Sequence, residues 1–72
     1  MHTNRKEQRA RNAERQQLRS EAFALQCTLD ELHNRFDRIT DPVQMDACIY
    51  EMNAVIARYN YTIQCLKAFD LS

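Results

Sequence analysis

Residues 18–66 read LRSEAFALQCTLDELHNRFDRITDPVQMDACIYEMNAVIARYNYTIQCL, and the apolar runs on either side of Thr40-Asp41-Pro42 decide the fold. The first run is Leu18, Ala22, Leu25, Leu29, Leu32, Phe36 and Ile39. The second is Met45, Ile49, Met52, Ile56, Tyr59, Ile63 and Leu66. Both advance by alternate steps of four and three, the spacing that keeps side chains on one stripe of a helix and closes a coiled-coil seam. Two such stripes joined by a few residues can leave water only by folding against each other. The expected architecture is all-α, an antiparallel two-helix hairpin of coiled-coil type.

The boundary between the helices follows from local chemistry. A residue preceding proline is pushed out of the α region, so the first helix must stop before Pro42. Asp41 then reads as an N-cap, Pro42 as the first helical position and Gln44 as the closing residue of a capping box. These signals place helix 1 at about 5–39, the turn at 40–41 and helix 2 at about 42–69. Pairing Ile39 with Met45 and Leu18 with Leu66 gives partner numbers adding to 84 or 85, whereas pairing Phe36 with Met45 and Leu29 with Met52 gives 81. In either register Ser72 lies opposite residues 9–13, so the first dozen residues overhang the end of the hairpin and the basic arm is expected to have no partner in its own chain.

Outside the hairpin domain, residues 18–70, lies a basic arm, residues 1–17. The chain has ten basic and ten acidic residues, but they are unevenly spread. Residues 1–20 hold Arg5, Lys6, Arg9, Arg11, Arg15 and Arg19 against Glu7 and Glu14, a formal +4; the remainder is −4. Arg, Gln, Glu and Ala favour a helix in the arm. No large apolar residue except Met1 is there to anchor it, and the cations face the positive end of the helix dipole. An arm that is helical but partly frayed is expected.

Composition narrows the class further. Seventy-two residues make one small domain. With no glycine and one proline, a turn-rich β fold is excluded. The apolar stretches are interrupted every few residues by polar ones, so neither a membrane span nor a signal peptide is expected. Three cysteines, Cys27, Cys48 and Cys65, without a secretory signal fit a reducing, cytoplasmic location.

One hairpin does not account for all the apolar surface. Cys48, Val55, Thr62 and Phe69 recur every seven residues beside the second ladder, with Ala47, Ala54, Ala57 and Tyr61 near them, and Phe23 and Cys27 flank the first. A stripe this wide exceeds a two-helix contact. The expectation is a homodimer, most simply a four-helix bundle, with Cys48, Tyr50, Val55, Tyr61, Phe69 and Phe23 at the dimer or partner interface.

Catalytic chemistry finds little support. Asp30, Glu31, Asp37, Asp46 and Glu51 read as solvated rim charges, because acid–base work needs a partly dry cleft. His33 lies about 200° around the helix from Glu31, and no paired cysteine or histidine motif supplies a metal site. Neither histidine is placed to activate Cys48 or Cys65 as a nucleophile. No enzyme activity, metal or cofactor is expected.

The run Phe36-Asp37, Thr40-Asp41-Pro42, Met45-Asp46-Ala47-Cys48-Ile49-Tyr50-Glu51-Met52-Asn53-Ala54, Ala57-Arg58-Tyr59-Asn60-Tyr61 and Leu66-Lys67 resembles the YaaL-like proteins, small bacterial proteins of the Firmicutes that form a domain of unknown function. The resemblance covers about residues 18–69 and rests on the Asp-Pro turn with the Ile-Tyr-Glu and Arg-Tyr-x-Tyr segments. Gln64-Cys65-Leu66 departs from it, and the arm lies outside it. It implies a cytoplasmic helical protein and no particular mechanism.

Two functional readings follow. One is a non-catalytic protein–protein interaction module, acting as a homodimer or on a larger protein. The other is a nucleic-acid-associated protein whose Arg5, Lys6, Arg9, Arg11, Arg15 and Arg19 lie along phosphates, or alternatively along an acidic partner. A membrane role is not expected, since the arm lacks an inserting apolar face.

Overall fold

The computed structural model describes residues 4–71. Two helices, α1 (Arg5–Phe36) and α2 (Pro42–Leu71), lie side by side as an antiparallel hairpin measuring 60 × 15 × 12 Å. There is no strand among the described residues. The first three residues of the arm, and Ser72 with its expected place opposite residues 9–13, lie outside that range.

Each helix starts on a side-chain cap. Asn4 accepts from the Glu7 amide at 2.8 Å and opens α1. Asp41 accepts from the Gln44 amide at 3.0 Å while its carbonyl accepts from Met45, so the expected cap on α2 is in place. The exit from α1 differs from expectation: the helix ends at Phe36 rather than about 39, and the turn spans 37–41. A left-handed C-cap favours glycine, and the chain has none. Instead, Arg38 donates to the Arg35 carbonyl and Ile39 to that of Phe36, i→i−3 bonds that tighten the last turn without any positive φ.

Every expected seam residue of the first run is buried or half-buried: Leu18, Ala22, Leu25, Leu29, Leu32 and Phe36 on α1, and Ile39 in the turn. On α2 the seam is rotated by one position. Met45, Met52, Tyr59 and Leu66 face inward as expected, but Cys48, Val55, Thr62 and Phe69 complete the stripe. Ile49 and Ile56, expected in the seam, are 39% and 38% exposed; Ile63 is half-buried. Small residues explain the choice. Cys48 and Thr62 are each 2% exposed, as small side chains in a close helix–helix contact should be. Neither is an unsatisfied polar group: the thiol donates to the Leu32 carbonyl (3.4 Å) and the hydroxyl to that of Arg58 (2.9 Å). The three isoleucines then stand on the shoulder of the seam.

Side-chain contacts between the helices bracket the register. Arg15–Asp70 and Arg35–Glu51 have partner numbers adding to 85 and 86, and Cys48–Leu32 to 80. Both expected registers fall inside that window.

Candidate interaction surface

Helix α2 is apolar on two opposite sides. Its inner side is the seam. Its outer side carries Val43, Ala47, Tyr50, Ala54, Ala57, Tyr61, Gln64, Ala68 and Leu71, again in alternate steps of four and three, and all nine are exposed, although Ala47, Ala54, Ala57, Tyr61 and Ala68 also border shallow hollows that α1 side chains line. The larger ones are far from covered: Val43 75%, Tyr50 75%, Tyr61 67% and Leu71 88% exposed. Only Gln64 is polar. A helix with one partner should present a mainly polar outer side, as α1 does with Gln17, Ser20, Glu31 and Asn34, where Ala24 and Cys27 are the two exceptions. The outer ladder of α2 is therefore an apolar stripe about 42 Å long at ~1.5 Å per residue.

Polar flanks separate the two sides of α2. Asp46, Asn53, Asn60 and Lys67 form one seven-residue row, and Gln44, Glu51 and Arg58 the other. Glu51 already meets Arg35 at 3.5 Å, with both side chains more than half exposed and open to further contacts. Beside this row the small Ala54 and Ala57 leave a shallow hollow of about 500 Å³, bordered by Leu18, Glu21, Arg58 and Tyr61.

The structure divides the residues expected at an interface. Tyr50 and Tyr61 share the outer ladder. Cys48, Val55 and Phe69 do not reach it, because the rotated seam places them on the inner side, Cys48 fully buried and the other two half-buried. Phe23 is 69% exposed on α1 and does not belong to the ladder. The other seven positions of the ladder, Val43, Ala47, Ala54, Ala57, Gln64, Ala68 and Leu71, are not among the residues expected at the interface. Their signal was the same alternation of four and three, started at Val43 instead of Met45.

The basic residues Arg5, Lys6, Arg9, Arg11, Arg15 and Arg19 are all exposed on the first turns of α1. The expectation that the arm has no partner within its chain is corrected: Arg15 meets Asp70 at 3.0 Å. Arg11, Arg15 and Phe69 border one hollow at the open end of the hairpin. The α1 seam thus continues toward its amino end in arginines, whose long stems can cover the apolar end of α2 while their charged heads stay in water.

Among the described residues no cluster of His, Cys, Asp or Glu could hold a metal ion, and no helix is long and apolar enough to cross a membrane. All three cysteines are free thiols. Compared with protein-family models, with curated proteins and with solved structures, the chain matches none.

Proposed function

We propose that the protein is a non-catalytic protein–protein interaction module whose working surface is the outer side of α2. The supporting observation is that ladder of nine exposed positions, eight of them apolar, along a helix that already has a complete seam on its other side. An apolar stripe of that length marks a contact with another protein surface. The reading takes the module as cytoplasmic, in keeping with three free thiols and with the resemblance to the YaaL-like proteins. The test is Ala57→Glu, which sets a charge at the centre of the ladder, at an exposed position. It should abolish the protein's specific association, with itself or with a purified partner, while helicity by circular dichroism is unchanged. Association that survives the substitution would refute the reading.

A second reading has its own support in the six exposed cations at the amino end of α1. On that reading the arm lies along a phosphate backbone. Neutralising a few phosphates would make binding to DNA or RNA fall steeply between about 50 and 200 mM salt. Replacing Arg5, Arg9 and Arg11 by Gln should then weaken binding without regard to base sequence.

A further inference from the structure

We infer that the outer side of α2 is covered by the same side of a second copy running antiparallel, so that four helices lie in the order α1, α2, α2, α1. This rests on the interaction-module reading and supplies its partner. The first argument is charge order. Apart from Asp70, which meets Arg15, the charged residues of α2 are Asp46 and Glu51 in its first half and Arg58 and Lys67 in its second. An antiparallel two-fold axis sets the acidic half of one copy against the basic half of the other; a parallel one sets like against like. The partner this face fits is a helix with the reverse charge order, which α2 itself presents when turned around.

One register satisfies the ladder and both flanks together. Ala54 of one copy lies opposite Ala57 of the other, and Tyr50 opposite Tyr61. On the flanks Glu51 then stands by Arg58, Asp46 by Lys67, and Asn53 by Asn60, each pair occurring twice about the axis. Four alanines at the centre let the helices approach at the short end of the usual 8–10 Å, with tyrosine pairs closing the contact above and below. A stable interface takes about 800 Å² from each partner, close to an eighth of the 6152 Å² surface. The stripe runs most of one side of the rod.

The test is carbodiimide coupling of the full chain at tens of micromolar, using mixed unlabelled and ¹⁵N-labelled copies. Asp46 and Lys67 are 21 residues apart on one helix, about 32 Å, so a zero-length link between them can form only between copies. The expected result is a mixed-isotope Asp46–Lys67 peptide from a dimer. Asp46→Lys should weaken dimerisation about tenfold by setting like charges together, and Asp46→Lys with Lys67→Asp should restore it. A dimer without that link, or a double variant as weak as the single one, overturns the proposal. If the wild-type chain is monomeric but Ala57→Glu abolishes binding of a purified partner, self-pairing is wrong and the interaction-module reading stands. If Ala57→Glu changes neither, both fall.

Discussion

The Cys48 thiol donates to the main-chain carbonyl of Leu32 across the hairpin at 3.4 Å, and the two residues are 2% and 3% exposed. This contact fixes which stripe of α2 faces α1. With Cys48 turned inward, Ile49 must sit at the edge and Tyr50 must point away, so the position of one small residue determines the side of α2 left for a partner.

Leu32→Ala should therefore destabilise far more than Ile49→Ala. Truncating a leucine at a buried site costs about 2–5 kcal/mol. Truncating an isoleucine that keeps part of its surface in water should cost about 1 kcal/mol. Urea unfolding followed by circular dichroism, both variants in an Ala57→Glu background to remove association, reads the difference. Equal midpoints would return Ile49 to the seam.

The three thiols should react in the order of their exposure. Cys27 is exposed, Cys65 half-buried and Cys48 buried. With a thiol reagent under native conditions, Cys48 should be at least about a hundredfold slower than Cys27, because it becomes accessible only when the hairpin opens. In denaturant the three rates should converge. Fast labelling of Cys48 in the folded chain would contradict the rotated seam.

How far the sequence could be read is clearest at these same residues. The first run offers a single ladder, and all seven of its positions are buried or half-buried. In helix 2, Met45, Met52, Tyr59 and Leu66 can be completed by Ile49, Ile56 and Ile63 or by Cys48, Val55 and Thr62, with steps of the same size. Hydrophobicity favours the isoleucines. Packing chose the smaller set, whose size admits a close neighbour and whose polar atoms find carbonyls along or across the helices. The outer ladder was obscured because alanine contributes little to a count of apolar bulk. The Arg15–Asp70 pair depends on the register of two helices, which periodicity alone leaves open.

Asp41→Ala should remove about 1 kcal/mol, the usual cost of an N-cap, because the carboxylate holds the Gln44 amide where α2 begins. Asn4→Ala removes a similar bond to Glu7, but at the free end of α1 it should loosen the first turn and barely move the melting curve. Thermal melts of the two variants check the contrast; equal shifts would mean that residues 5–10 are as firmly held as the turn.

Asp70→Asn should cost no more than about 1 kcal/mol, since an exposed ion pair contributes little, and the loss should vanish in high salt. Salt-dependent melting compares it with the wild type. A large, salt-independent loss would mean that the open end is held by burial rather than charge.

The most direct measurement is sedimentation equilibrium of the wild-type chain and Ala57→Glu at tens of micromolar, alongside circular dichroism. The expected mass is twice the 8.6 kDa chain for the wild type and a single chain for the variant, with equal helicity. A wild-type chain that stays monomeric, or a variant that still dimerises, would contradict the second seam on α2.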